Sequence, residues 1–327
     1  LFFTGDYLEV CIMQQNILTV IIPTFNDSKN IYRCLQSVSN QSFKNIEIIV
    51  INDASTDNTL EILETYNLTH KIRIINMPQN MGAGACRNRG ILEADGEYIT
   101  FLDSDDWIDI CTYEKCSKQF VYNPDIIIYG LMYDYVEYNY RIKKYIYNNN
   151  YKLNGEYALS IYSHTTTTEI NISPIVNNKI YKKEFLITNN LLFDECLRYQ
   201  EDDVFTFETF AKSNDVILIK DCFYHYNQRC NSLIHNVSPL SIEGFVNAYI
   251  SLKDNLEKQN LFNKYNAEFY LKLKSSLLGV IKRTIDYSKD QSECIELLVL
   301  LLELMSKKFD LKQLLTFFNI HYIRTFL

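Results

Sequence analysis

Three carboxylates crowd into four positions where an apolar run ends: residues 99–107 read ITFLDSDDW, with Asp103, Asp105 and Asp106. An Asp-x-Asp pair at the tip of a strand can hold a hard divalent cation, Mn2+ or Mg2+, through oxygen ligands. Such a cation neutralises a diphosphate and stabilises it as a leaving group. A second acidic group, Glu201-Asp202-Asp203, opens a stretch that reads as a helix. It supplies candidates for the base that takes a proton from an attacking hydroxyl, although acidic residues favour a helix N-terminus on electrostatic grounds alone. Two more polar clusters, PTFND at 23–27 and NDASTDNT at 52–59, close other apolar runs. His225, between two tyrosines, suits either a metal ligand or a packed core residue.

The elements that must position these residues follow from periodicity. Short β-branched runs at 17–22, 46–51, 72–76 and 98–102 alternate with amphipathic stretches whose helices start near Asp27, Ser55 or Thr56, and Gly84. That alternation predicts a parallel sheet flanked by helices. Ligands of such sheets bind beyond the carboxyl ends of the strands, where the polar clusters fall. After Trp107 the pattern predicts a helix to about Val121, then DIIIYG and an alternating aromatic segment that reads as a hairpin. Residues 146–178, rich in Asn, Thr and Ser, read as irregular; 201–213 reads as a helix, 215–226 as a strand, and only helical periodicity remains from about Ser238. The expected organisation is an extension at 1–16, an α/β unit at 17–235 and an all-α region at 236–327.

Composition narrows the function. Apolar residues make up 47% and charged residues 22% of the 327, a globular balance. The 32 basic and 40 acidic residues leave a formal charge of −8, which argues against nucleic acid as a partner. Nine cysteines, odd in number and without a C-x-x-C pair, suit a reducing cytoplasm. No apolar stretch reaches the roughly 18 residues a membrane span needs. The N-terminal LFFTGDYLEVCIM lacks a basic leader and a small-residue cleavage site, so it reads as a poor signal peptide. The basic and apolar mixture at 306–326 suits a packing or dimerisation helix, or peripheral contact with the inner face of the plasma membrane. Among the aromatics, Trp107 is the best single candidate for lining a sugar pocket.

Taken in order, VIIPTFND, LQSVSNQSFKNIEIIVINDASTDNT, NMGAGACRNRGILEADGEYITFLDSDDW and YQEDDVF resemble the signature of glycosyltransferase family 2 enzymes with the GT-A fold, over about residues 17–235. NNKIYKKEFL and FYHYNQRCNSLI resemble its bacterial surface-polysaccharide members. The resemblance implies a Rossmann-like, mostly parallel sheet with a donor half at 17–107 and an acceptor half at 108–235. It also implies inverting, metal-dependent transfer from a nucleotide-diphosphate sugar, a UDP-hexose or UDP-N-acetylhexosamine, to a hydroxyl of a glycan or lipid-linked saccharide. By position, Pro23, Thr24 and Asp53 would contact the base, Arg87 would lie near base and phosphates, Asp103 would meet the ribose and Asp105 the metal. Asp202 would be the general base, Glu201 would position the acceptor, and Arg229 and Ser232 would close over the diphosphate. Lys179 matches a family position of unassigned role. The chain departs from the pattern at Asn52, where many relatives have Asp, and at Ala54, where they have Gly.

Two rivals remain at this level. One is a degenerate relative that holds a nucleotide sugar or glycan without turning it over. The other is a dinucleotide oxidoreductase, but MGAGACRNRG follows the third strand and lacks G-x-G-x-x-G spacing.

Overall fold

The computed structural model describes residues 18–145, 147–164, 170–228 and 237–316. The N-terminal extension lies outside them. In the first half, β1 (Leu18–Thr24), α1 (Ile31–Ser39), β2 (Ile46–Asn52), α2 (Thr59–Asn67), β3 (Arg73–Asn76), α3 (Ala83–Glu93) and β4 (Tyr98–Phe101) alternate as the periodicity predicts. β1 is buried along its whole length because helices cover both faces of the sheet. α1 buries Ile31, Cys34, Leu35 and Val38, the i, i+3, i+4, i+7 face of a helix. Each fully buried Ile, Leu or Val there contributes about 1.5–3 kcal/mol. α3 sits closest to the sheet: a Cβ built on Gly90 would lie 2.4 Å from the Ile21 side chain, so only glycine admits this approach.

The second half continues with β5 (Trp107–Ile108), α4 (Thr112–Ser117), β6 (Ile126–Tyr135), β7 (Tyr140–Lys144), β8 (Tyr151–Leu153), α5 (Gly155–Ser163), β9 (Lys179–Lys182), α6 (Lys183–Thr188), α7 (Glu201–Lys212) and β10 (Val216–Asn227). The main sheet order is β3-β2-β1-β4-β9-β6-β10-β5, with β7 on β6 and β8 on β10. β1 to β4 are mutually parallel, whereas β9 runs antiparallel between β4 and β6 and joins the two halves.

Two stretches differ from the sequence reading. The helix expected to reach Val121 is the short α4 followed by a 3-10 turn at Phe120–Tyr122. The segment expected to be irregular contains α5, started by Asn154, whose side chain accepts a hydrogen bond from the Tyr157 amide at 2.8 Å.

The C-terminal region consists of α8 (Pro239–Lys258), α9 (Phe262–Tyr287), α10 (Gln291–Lys308) and α11 (Leu311–Thr316). α8 packs on α7 and α9 packs on α5. One apolar core runs from Phe101 and Phe205 through Phe245 and Tyr249 to Phe269. Within the 306–326 segment, the described part buries Phe309 and Leu314 in that core, which is the packing role. No helix among the described residues is long and apolar enough to cross a membrane.

Candidate active site

A cavity of about 810 Å³ opens at the carboxyl ends of β1, β2 and β4. Pro23, Thr24, Asp53, Arg87, Asp103, Asp105, Glu201 and Asp202 all line it. The carboxylates expected at the metal and at the base therefore share one cavity. Arg229 and Ser232 fall outside the described residues.

Arg87, carried by α3 and only 3% exposed, is the hub. One guanidinium nitrogen lies 3.0 Å from Asp103, and another lies 2.9 Å from Asp202 and 3.3 Å from Glu201. Burial alone would lower the pKa of the guanidinium, but Asp202, Asp103 and Glu201 outweigh it and raise it above the ordinary arginine value. Asp202 also accepts a 3.4 Å hydrogen bond from the Val176 amide. Its carboxyl titrates above the usual carboxylate range: withdrawal from water raises it, Arg87 opposes, and Glu201 and Asp103 add repulsion. A carboxylate so placed can hold a proton near neutral pH.

The strand ends fix the remaining groups. Asp53, at the end of β2, accepts the Met81 and Gly82 amides at 2.7 and 2.8 Å, so besides facing the cavity it ties down the start of α3. That tether needs φ of +88° at Gly82. Thr24 is buried, and among the described residues its hydroxyl has no hydrogen-bond partner, an unmet demand at the cavity wall. Asn52 donates to Asn76 at 2.9 Å and accepts from the Ser55 amide at 3.2 Å, holding the loop after β2. Ala54, where relatives have Gly, adopts φ of +58°.

The three carboxylates of DSDD separate. Asp103 and Asp105 face the cavity. Asp106 turns inward, fully buried, and accepts hydrogen bonds from the Tyr224 hydroxyl and, at 2.8 Å, from the Asn227 amide. Burial and its two acidic neighbours raise its pKa well above the usual range. Its role is to anchor β10 under the loop. Among the described residues no group of three or more His, Cys, Asp or Glu side chains is arranged to cage a metal. Asp103 and Asp105 are the side chains that would offer oxygens to a divalent cation such as Mg2+ or Mn2+.

Two expectations are corrected by the geometry. Trp107 does not line the cavity, because Arg33 lies 3.8 Å over one ring and His225 is stacked on it at 5.0 Å. His225 likewise does not line the cavity. Its Nδ1 lies 2.8 Å from Asp134 and its Nε2 3.1 Å from Asp109, so both nitrogens serve carboxylates away from Asp105. Its flanking tyrosines had pointed equally to this packed role.

Two residues that the sequence reading named, Lys179 and Asp203, take bracing places behind the site. Lys179 is fully buried, and its ammonium donates to the carbonyls of Ser173 (2.8 Å) and Ile175 and to Asn178 (3.2 Å), bracing the loop behind Asp202. Burial pulls it down to about 7, with Asp202 opposing. Asp203, next to the candidate base, meets Lys272 of α9 at 3.0 Å, the Tyr249 hydroxyl and Ser276 at 3.0 Å each, and the Tyr162 hydroxyl. This network clamps the first turn of α7 to the C-terminal helices.

Fold and cavity together define an α/β enzyme that works on a polar substrate at the ends of its strands. The family model for glycosyl transferase family 2 matches residues 19–185, about half of the chain, and the chain belongs to that family. It is a glycosyltransferase, with the mixed α/β sheet and helical C-terminal region of the GT-A fold.

Among its relatives, glycosyltransferase GlyA of Streptococcus pneumoniae is 33% identical over 66% of this chain, and the cholesterol galactosyltransferase of Borreliella burgdorferi is 29% identical over 77%. The chain spans 31% of the former and 73% of the latter. The structure of residues 1–349 of TarS from Staphylococcus aureus in complex with UDP superposes with a TM-score of 0.59 at 21% identity, covering 88% of this chain and 71% of that one. The UDP-GlcNAc complex of the same protein gives 0.59 at 23% identity, covering 83% and 80%. At these identities the likeness is one of fold.

Proposed function

We propose that this chain moves a hexose or N-acetylhexosamine from a UDP-sugar to a hydroxyl of a glycan or lipid-linked saccharide, with inversion at the anomeric carbon, in bacterial surface-polysaccharide synthesis. The observation that carries the reading is the single cavity in which Arg87 ties Asp103 to Glu201 and Asp202. The orphan hydroxyl of Thr24 and the carboxylate of Asp53 suit a nucleobase, and Asp103 suits ribose hydroxyls. UDP and UDP-GlcNAc complexes of the TarS neighbour support a uridine donor.

In this reading the acceptor hydroxyl is held by Glu201 and gives its proton to Asp202 as its oxygen bonds to the anomeric carbon. The bond from that carbon to the diphosphate breaks in the same displacement, and its electrons leave with the diphosphate. No side-chain nucleophile takes part. Asp105, with Asp103 beside it, would hold a divalent cation that offsets the charge developing on the diphosphate. Arg229 and Ser232 keep the role the family resemblance gives them. Free buried thiols at Cys34, Cys86 and Cys116 support a cytoplasmic setting. The test is a screen of nucleotide sugars for hydrolysis or transfer with Mn2+ or Mg2+. Turnover of one donor that vanishes in Asp202→Asn supports the reading, whereas tight donor binding with no turnover would mean a binding protein.

A further inference from the structure

The longest helix contributes a polar wall to the cavity. Lys272, Ser275, Ser276, Gly279 and Arg283 of α9 all line it. Lys272, Ser276, Gly279 and Arg283, spaced four, three and four residues apart, lie on one helix face, with Ser275 beside them. Lys272 and Ser276 are committed to Asp203. Arg283 is not: among the described residues its guanidinium makes no ion pair or hydrogen bond, yet burial is strong enough to lower its pKa, with only Asp203 and Tyr287 opposing. Asp203 is already met by the lysine and three hydroxyls. Gly279 leaves a gap beside it, since a Cβ there would stand 3.8 Å from Arg283 Nη1.

The half-buried guanidinium of Arg283 thus faces the cavity with donors that no described residue engages, open to an incoming ligand. Its planar fork matches phosphate and carboxylate oxygens in bidentate fashion. The wall that carries it belongs to α9, which packs on α5 and α8, whereas the donor-side residues sit on the tips of β1, β2 and β4 and on α3. Arg198, the other arginine at the rim, is exposed and lies against Gly82 at the donor end. We infer that Arg283 selects acceptors that carry a phosphate or carboxylate beside the sugar to be glycosylated. The inference rests on reading the cavity as a sugar-transfer site.

The test is an equilibrium titration, followed by ligand NMR, of glucose 6-phosphate, glucuronate and glucose into the full chain with UDP and Mn2+ present to fill the donor side. Wild type is expected to bind at least one anionic sugar about tenfold or more tightly than glucose, the size of one charge-assisted contact. Preference for the phosphate alone, or for the uronate alone, identifies the source of the anion. In Arg283→Gln the ratio falls to about one. Arg283→Lys, which keeps charge without the fork, gives an intermediate ratio. Because glucose is each protein's own reference, a general loss of folded protein cancels. Wild type without an anion preference, or Arg283→Gln that retains it, overturns the inference. Wild type that binds UDP but shows no preference sinks only this inference. Wild type that prefers anionic sugars but does not bind UDP sinks the nucleotide-sugar reading instead.

Discussion

Replacing Arg87 by methionine takes away the cation on which Asp103, Glu201 and Asp202 converge, and its cost can be worked from the structure. Removing one partner of a buried pair typically costs about 3–5 kcal/mol. Here the three carboxylate side chains keep 31%, 19% and 22% of their exposure, so water can reach them, and we expect the lower end, about 3 kcal/mol at pH 8. At about 2–4 °C per kcal/mol for chains somewhat smaller than this one, the melting temperature should fall by about 6–12 °C. Without Arg87 the three carboxylates repel one another and their pKa values climb. The folded variant then binds protons that the unfolded chain, with carboxylates near pKa 4, does not bind at the same pH. Its deficit against wild type must therefore shrink as pH falls from 8 towards 5.5. Urea unfolding followed by the fluorescence of Trp107, the single tryptophan, measures this directly. Arg87→Lys, which keeps charge but loses the fork, should fall between the two. A deficit that is the same at every pH, or smaller than about 1 kcal/mol at pH 8, refutes the idea that Arg87 offsets carboxylate repulsion.

Other changes test neighbouring parts of the site. Asp202→Asn should lower kcat by about 10²–10⁴. In wild type, kcat/KM should rise with pH along a limb whose midpoint lies above that of an ordinary carboxylate, because the base acts deprotonated and its pKa is raised; a variant that keeps the limb would exclude Asp202 as its origin. Asp105→Ala should abolish transfer and the response to added Mn2+, and wild-type turnover in the presence of a chelator would contradict the metal role. Ala54→Gly, at φ of +58°, should stabilise the chain by about 1 kcal/mol, and a lowered urea midpoint would show that the loop bears no strain there. Lys272→Met leaves Asp203 facing three hydroxyls without its ion-pair partner, for a loss of about 3 kcal/mol by urea unfolding.

The strand-tip residues that line the cavity were legible in sequence because their signals are local. A buried strand shows as a β-branched run, and its polar end is the next few residues, so Thr24, Asp53, Asp103 and Asp105 could be read one strand at a time. Asp202 needed only the acidic start of one helix. What could not be read depends on partners far along the chain. Nothing local separates Asp105, which faces the cavity, from Asp106, which turns inward; the difference is the Tyr224 hydroxyl that waits for it. Trp107 looked available until Arg33 and His225 covered its faces. α5 hid in an Asn-, Thr- and Ser-rich stretch because its buried residues answer to α7 and α9 rather than to a strong period of their own. The α9 wall was legible as a helix, but which face meets the cavity is decided by its packing on α5, far back in the chain.

The antiparallel strand β9 has a consequence for how the molecule is made. A ribosome delivers β1 to β4 long before residues 179–182, and until those arrive the free rim of β4 presents unpaired amides and carbonyls to any neighbouring chain. The nascent polypeptide therefore passes through an interval of stickiness that ends only when a latecomer seals the rim. For the same reason the portion that carries β1 to β4 cannot be harvested as an autonomous module: any cut before Lys179 makes that interval permanent, and such a fragment should aggregate.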